Sequence, residues 1–157
     1  MPLHLALRSL ADTEAMGARL AQSRPPRPDS ISVVHLSGDL GAGKTTLARG
    51  FLRASGFNGV VRSPTYTLLE TYDTAAGTVV HLDLYRLRDP SELEPLGLRD
   101  WDRAGYVWLI EWPERGGERV PAADLRISLA VARESHEFTA RAGTAYGRAW
   151  LQRLASA

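Results

Sequence analysis

The stretch from 38 to 46, GDLGAGKTT, constrains the fold of this chain more than any other segment. Four of its residues match the pattern G-x-x-x-x-G-K-S/T: Gly38, Gly43, Lys44 and Thr45. In such a loop, backbone N–H groups and the amino terminus of a helix surround phosphate groups. The apolar run ISVVHLS precedes the loop, and the residues after it repeat at helical spacing. The context therefore predicts a buried strand, a phosphate-binding loop and a helix, in that order.

Lys44 is the single lysine of the chain, beside 18 arginines. A slim ammonium on a flexible stem can lie along the loop and reach β- and γ-phosphate oxygens as a point charge. A planar guanidinium is bulkier and hydrogen-bonds as a fork, so arginine does not serve at this position. We predict that Lys44 binds phosphates, together with the backbone of the loop residues Asp39, Leu40, Gly41, Ala42 and Gly43.

A magnesium site is predicted beside the loop. The hydroxyl of Thr45 is placed to hold Mg²⁺, and that of Thr46 to contact an α-phosphate. Asp83 and Glu111 each end an apolar run, and the carboxyl ends of such strands face the phosphates. We assign Asp83 to water activation or a water-mediated magnesium contact. Glu111 is assigned to magnesium, directly or through water.

The nucleotide is expected to carry adenine. Guanine-specific switch GTPases read their base with an N/T-K-x-D motif, and a chain without a second lysine cannot contain it. The segment SPTYT, 63–67, lies where a switch loop would lie, so Thr65 is a candidate to bind magnesium or sense the γ-phosphate. The simpler interpretation of this segment, a proline turn that enters a strand, stays open.

The remaining pattern predicts one domain, 1–157, with an α/β fold. Strand-like segments are 3–9, 31–37, a part of 60–73 after a proline-bent loop, 79–87, 106–112, 125–131 and 136–142. Those at 60–73 and 79–87 are expected to form a hairpin. The sheet should be mixed, with a parallel centre and antiparallel edge strands, and flanked by helices.

Capping residues mark the predicted helices. Asp12 or Thr13 is expected to cap the first helix, and Thr144 the last. The second follows the phosphate-binding loop and ends near Gly56. A short helical region should follow Asp89, with Glu92 completing a capping box, and extend to about residue 103.

Composition excludes several functions. The chain has no cysteine, so it forms no disulfide or thiolate metal site, and its four histidines are too scattered to resemble a zinc site. It has no apolar run of the ~20 residues that span a bilayer and no signal-peptide pattern at its amino terminus, so we expect a cytoplasmic protein without a membrane segment. The formal net charge of +1 gives a weak overall field, so any nucleic acid would have to be bound by a local basic patch or through a partner protein.

Five motifs then occur in order across 38–114: GDLGAGKTT, SPTYTL, HLDLYRL, DPSELEPLG and IEWPE. Together they resemble the TsaE family, the bacterial ATPase subunit needed to make threonylcarbamoyladenosine next to the anticodon in tRNA. The resemblance implies a small P-loop fold and a weak, Mg²⁺-dependent ATPase. It also implies a complex with the TsaD and TsaB proteins, through which tRNA is met indirectly. We expect the free protein to be monomeric.

The resemblance also implies roles for single residues. The magnesium residues of the family fall on Thr45 and Glu111, its catalytic aspartate on Asp83 and its switch threonine on Thr65. Trp112 falls in the EW pair near the nucleotide. A nucleotide contact before the first helix would lie around Leu10 to Thr13. Family members often carry an arginine near the carboxyl end that reaches the nucleotide. The alignment puts His136 at that position in this sequence, and Arg133 is the alternative candidate for the role.

Two other functions compete with a partner-activated ATPase. A small-molecule or nucleoside kinase would use the same loop, carboxylates and arginines for phosphoryl transfer, but no segment is clearly long enough for its lid. A nucleotide-gated binding module would use ATP to change the switch loop, with hydrolysis incidental.

Overall fold

A computed structural model describes all residues, 1–157, and places the strands in one sheet. In chain order the strands are β1 (Leu3–Leu7), β2 (Ser32–Ser37), β3 (Leu69–Thr74), β4 (Gly77–Asp83), β5 (Val107–Glu111), β6 (Leu125–Val131) and β7 (His136–Ala142). Their order across the sheet is β1-β7-β6-β2-β5-β4-β3. The pairs β2–β5, β2–β6 and β4–β5 are parallel, whereas β1–β7, β6–β7 and β3–β4 are antiparallel. The predicted mixed sheet and the hairpin of β3 and β4 are therefore confirmed.

Burial along the strands follows their place in the sheet. All five residues of β5, VWLIE, are buried, as expected of a central strand covered on both faces. Along β6, buried and exposed residues alternate from Leu125 to Ala130, so one face of that strand meets solvent. The larger core lies between the sheet and the helices, and a smaller one lies under the segment that joins β4 to β5.

The α-helices are α1 (Leu10–Gln22), α2 (Lys44–Ala54) and α3 (Ala145–Ser156). α1 and α2 approach each other closely through glycine. A Cβ atom on Gly17 would lie 2.0 Å from the carbonyl oxygen of Leu47, and one on Gly50 would lie 1.9 Å from that of Glu14. Any side chain at either glycine would therefore separate the two helices. No helix is both long and apolar enough to cross a membrane.

The predicted cap of the first helix is wrong. The capping residue is Ser9, whose extended backbone precedes the helix and whose hydroxyl accepts from the backbone N–H of Asp12 at 3.0 Å. Asp12 instead accepts from the backbone N–H of Arg8, and Thr13 is buried in the helix. The helix starts earlier than predicted because β1 ends at Leu7, two residues before its cap.

The segment after Asp89 is helical, but not α-helical. It forms two 3-10 helices, Pro90–Leu96 and Leu98–Trp101. Asp89 and Glu92 make the predicted capping box. Pro95 lies inside the first 3-10 helix, and Gly97, with φ of 62°, ends it, so an α-helix cannot continue. At the other end of the chain, Thr144 caps α3 as predicted, by accepting from the N–H of Gly147.

Strand register brings the carboxyl ends of β2, β4 and β5 to one edge of the sheet. Leu36 and Asp83 both pair with Glu111, which lies between them. The loop after β2 therefore starts beside the carboxylates that end β4 and β5, as the sequence predicts for a P-loop protein.

A buried carboxylate ties the amino-terminal end of β6 to its neighbours. Asp124 is 4% exposed and accepts hydrogen bonds from Arg27 Nη1 at 2.8 Å, the backbone N–H of Val33 at 2.9 Å and Thr144 Oγ1 at 2.7 Å. Asp124→Ala leaves these donors without an acceptor, so we expect it to lower the free energy of unfolding by about 2–4 kcal/mol. Chemical denaturation measures this loss.

Asp29→Ala is the matched control because Asp29 is exposed. We expect it to change the free energy of unfolding by no more than about 0.5 kcal/mol. Equal effects of the two substitutions would contradict the structural role of Asp124.

Candidate active site

The glycine-rich loop connects β2 to α2 and leaves the start of α2 open to an anion. Gly43 caps α2 with a left-handed backbone, φ of 105°, and provides no side-chain oxygen to the first N–H groups of the helix. These donors and the positive end of the helix dipole point toward the loop. Around them, Ala42 is buried and Thr46 half-buried, while Asp39, Leu40 and Gly41 are exposed.

Lys44 lies folded along the loop. Its Nζ donates to the carbonyl oxygens of Gly38 and Asp39, the latter at 2.9 Å, and lies 4.6 Å from the ring centroid of Trp112. The residue is only 5% exposed, and this burial lowers the pKa of its ammonium group below the ordinary value. A bound phosphate could replace the two carbonyl oxygens as the acceptor for the ammonium group. Because phosphate oxygens are charged, the ammonium would then make stronger hydrogen bonds.

Two hydroxyl–carboxylate contacts meet beside the loop. Thr45 Oγ1 lies 3.5 Å from Glu111 Oε1 and 3.4 Å from Glu111 Oε2. Thr65 Oγ1 donates to Asp83 Oδ2 at 3.1 Å. The structure thus brings together Thr45, Thr65 and both strand-end carboxylates, although Thr45 lies in the first turn of α2 and Thr65 in the loop before β3.

This donor set fits a magnesium ion. Mg²⁺ takes oxygen ligands, commonly one or two from protein and the rest from water and phosphates. The hydroxyl of Thr45 and the carboxylate of Glu111 are two such oxygen donors, adjacent to the loop that would hold the phosphates. No group of three His, Cys, Asp or Glu side chains is placed to hold a metal ion by itself. Water and nucleotide oxygens would complete the coordination of a magnesium ion held here.

Asp83 has an unusual electrostatic environment. Burial raises the pKa of its carboxyl group, and the negative charge of Glu111 raises it further. Hydrogen bonds from the backbone N–H of Tyr85 and from Thr65 oppose this rise. A carboxylate with a raised pKa is a better proton acceptor, which suits a residue that orients or activates water.

The sequence-based prediction missed His81. Its side chain is fully buried on β4, and Nε2 lies 2.6 Å from Glu111 Oε2. A signal was present, because His81 lies two residues before Asp83 and alternate residues of a strand share a face. A histidine in an apolar strand does not by itself identify a neighbour on another strand.

Trp112 belongs to a group of aromatic and cationic side chains at the mouth of the site. It has a left-handed backbone, φ of 56°, and its ring lies 5.1 Å from that of Tyr85. The guanidinium of Arg115 lies 5.3 Å from the centroid of Tyr85 and 5.4 Å from that of Trp112. The indole of Trp112 thus contacts Lys44 on the phosphate-binding loop and Arg115 on the segment after β5. Tyr85 and Arg115 were not predicted as site residues.

A cavity of about 280 Å³ lies on the other side of the loop. Four of its lining residues are the positions predicted from the ends of the chain: Leu10, Thr13, Arg133 and His136. A Cβ atom on Gly43 would lie 3.2 Å from Thr13 Cγ2 and 3.4 Å from His136 Nδ1, so the cavity adjoins the phosphate-binding loop. Leu10 is 69% exposed at its rim.

Sequence comparison relates the chain to proteins of tRNA modification. The family model described as threonylcarbamoyl adenosine biosynthesis protein TsaE matches residues 7–141. A tRNA threonylcarbamoyladenosine biosynthesis protein TsaE from Haemophilus influenzae is 52% identical over 97 residues, which are 62% of this chain and 61% of that protein. The Bacillus subtilis protein of the same name is 39% identical over 100 residues, 64% of this chain and 62% of that protein. The chain covers about three fifths of the length of these two relatives.

A longer match and a solved structure extend the comparison. The Mycobacterium tuberculosis protein of that name is 38% identical over 151 residues, which are 90% of this chain and 86% of that protein. The crystal structure of YdiB from Bacillus subtilis superposes with a TM-score of 0.79 at 27% identity, covering 99% of this chain and 95% of that one.

Proposed function

Because this chain belongs to the TsaE family, as five motifs of its sequence indicated, we propose that it is a Mg²⁺-dependent ATPase that acts in the threonylcarbamoyl modification of tRNA adenosine. One observation carries the proposal: the P-loop hydroxyl of Thr45 and the carboxylate of Glu111 meet beside the Thr65–Asp83 hydrogen bond. Phosphate binding, a metal site and a water-activating carboxylate would then occupy one edge of the sheet.

Phosphate binding, metal binding and orientation of the attacking water are assigned to different residues of the site. The β- and γ-phosphates are bound by the N–H groups at the start of α2 and by the ammonium of Lys44. These groups also stabilise the negative charge that develops on the β-phosphate as its bond to the γ-phosphate breaks. Thr45 and Glu111 would hold Mg²⁺, which supplies neutralisation of phosphate charge. Asp83 accepts a hydrogen bond from the attacking water and orients it. Thr65 donates to Asp83 Oδ2 in this structure, and the carboxylate has further acceptor sites for the water.

The nucleoside is proposed to occupy the cavity beside Gly43. Leu10 offers apolar surface to a purine, and Thr13, Arg133 and His136 offer polar groups to the sugar and base. Their position next to the phosphate-binding loop supports the predicted contacts from both ends of the chain. Arg133 and His136 both line the cavity, so we assign them jointly to the nucleoside.

We expect His136→Ala to weaken ATP binding about 3- to 10-fold, because one hydrogen bond or stacking contact contributes about 0.7–1.4 kcal/mol. His4→Ala is the control, since His4 is exposed on β1 and bonds Thr139 outside the cavity. Calorimetric titration with ATP and Mg²⁺ measures both affinities. Equal affinities of the His136→Ala and His4→Ala proteins would contradict a nucleoside contact at His136.

The partners follow from the family and are part of the proposal. We propose that the chain works with TsaD and TsaB in the cytoplasm and meets tRNA through that complex. The formal net charge of +1 supports indirect rather than direct contact with tRNA, because a weak overall field gives little attraction to a polyanion. Monomeric free protein remains our expectation.

The test is ATP hydrolysis by the purified protein, alone and with TsaD and TsaB from the same organism. Small-molecule phosphate acceptors are assayed in parallel. We expect slow hydrolysis alone and a many-fold increase with both partners. Phosphate transfer to an acceptor without stimulation by the partners would establish a kinase instead. Normal tRNA modification by a hydrolysis-inactive variant would establish a nucleotide-gated binding module.

A further inference from the structure

His81 and Glu111 form a buried pair beneath the proposed metal site. Both side chains are almost completely buried, at 0% and 3% exposure, on adjacent strands. His81 pairs in register with Leu109, so Glu111 lies diagonally across from it, on the same face of the sheet. An ionised carboxylate only accepts hydrogen bonds, so His81 Nε2 is the donor to Glu111 Oε2.

The side chain of His81 makes a hydrogen bond to Glu111 and to no other group. Its second ring nitrogen, Nδ1, is buried and has no hydrogen-bond partner. An unpaired buried polar atom reduces stability, so an apolar residue of similar volume would suit this strand better if packing alone mattered. What an apolar residue would lose is the single short bond to Glu111.

That bond restricts the carboxylate. Glu111 ends β5, and its side chain has several rotatable bonds, so a free carboxylate could turn away from the loop. His81 holds only Oε2, while both carboxylate oxygens lie within 3.5 Å of Thr45 Oγ1. The rigid ring, enclosed in the sheet, thus fixes the carboxylate facing the hydroxyl.

We propose that His81 is a positioning residue, which holds Glu111 toward Thr45 so that the two oxygen ligands for Mg²⁺ are set before the metal–nucleotide complex binds. The inference rests on the proposed function of this site. His81 itself contacts neither nucleotide nor metal in this proposal, and it acts only through Glu111. Preset ligands strengthen metal binding because less conformational freedom is lost on coordination.

The experiment separates metal-dependent from metal-independent binding. Affinity for ATPγS is measured by calorimetry in MgCl₂ and again in EDTA, and the ratio of the two affinities reports the contribution of the metal. For His81→Asn we expect this ratio to fall about 10-fold or more, while the affinity in EDTA stays unchanged. For His81→Gln we expect a ratio within about threefold of the original protein.

The two substitutions are matched. Both place a neutral amide in the same buried site, but the longer Gln can bring its N–H near the position of Nε2, whereas Asn reaches only that of Nδ1. His35→Leu is the control for loss of a histidine from the sheet, since His35 lies on β2, on the other side of β5 from His81, and bonds the carbonyl oxygen of Pro121 and not Glu111. It should leave the ratio unchanged. Thermal unfolding confirms that each protein is folded.

The outcomes distinguish this inference from the proposed function. A ratio in His81→Asn equal to that of the original protein overturns the positioning role, even if the protein is less stable. Equal losses in His81→Asn and His81→Gln also overturn it, because the retained donor then makes no difference. If the original protein binds ATPγS equally well in MgCl₂ and in EDTA, the proposed magnesium site itself is wrong.

Discussion

Replacing Asp83 by Asn is expected to slow ATP hydrolysis about 10²- to 10⁴-fold, the range by which a positioned general base accelerates proton transfer. ATP affinity should stay within about threefold, because the phosphates are bound by Lys44 and the start of α2. Asn keeps an oxygen that can accept from the N–H of Tyr85, at 3.0 Å in this structure, and its NH2 group, in the place of Oδ2, can donate to the hydroxyl of Thr65. Single-turnover hydrolysis and calorimetric titration measure the two quantities. A large loss of affinity with unchanged turnover would contradict the role of Asp83.

The same substitution should stabilise the folded protein at neutral pH. Burial, aided by the charge of Glu111, raises the pKa of Asp83 in the folded state. A carboxyl group whose folded pKa lies above its unfolded value binds protons more tightly when folded, so its contribution to stability is lost as pH rises. The gain from Asp83→Asn should therefore be small below the ordinary pKa of 3.8 and reach its maximum above the raised pKa.

Chemical denaturation at a series of pH values tests this dependence. Asp29→Asn is the control, because it removes the same charge from an exposed position. A stabilisation by Asp83→Asn that does not change between acidic and neutral pH would show that the carboxyl group is not the cause. Lower stability at neutral pH would mean that its hydrogen bonds outweigh its desolvation.

Replacing Lys44 by Ala is expected to weaken ATP binding about 30- to 1,000-fold. The estimate corresponds to about 2–4 kcal/mol, typical of removing one member of a desolvated charge pair. The protein should remain folded, since the ammonium bonds only carbonyl oxygens of its own loop. Lys44→Arg should also lose most of the affinity, because a guanidinium fork does not fit along the loop.

The control for Lys44 lies in the same helix. Arg49→Ala removes a positive charge from α2 outside the phosphate-binding loop, and we expect less than about a threefold change in affinity. Calorimetric titration with ATP compares the variants. Full affinity in Lys44→Arg would show that positive charge alone is sufficient, and would contradict the steric explanation for the single lysine.

The sequence predicted well those features that depend on neighbouring residues. The phosphate-binding loop was identifiable because glycine, lysine and threonine occur at fixed spacing between an apolar strand and a helix. The capping box at Asp89 and Glu92 and the cap at Thr144 are likewise local hydrogen bonds. At Ser9 the local signal was misread, because several residues near a helix start can accept from its N–H groups. Which one does so depends on where β1 ends.

The candidate site was predictable as a set of residues but not as an arrangement. Asp83 and Glu111 could be proposed because each ends an apolar run. Their neighbours in space follow from strand order and register, which place β4 beside β5 and bring His81 to Glu111. The cavity beside Gly43 likewise needs α1 and β7 to meet at the loop.

The sequence by itself therefore determined the backbone conformation and chemical type of the phosphate-binding loop, because its spacing encodes both locally. The tertiary structure alone decided which distant side chains meet there. From the sequence, a buried histidine such as His81 is only one more residue of an apolar strand. Its hydrogen-bond partner becomes evident when the strands are arranged in the sheet. Its partner is set by the pairing of two strands that are separated in the chain. The periodicity of each strand shows which of its residues are buried, but not which other strand lies beside it.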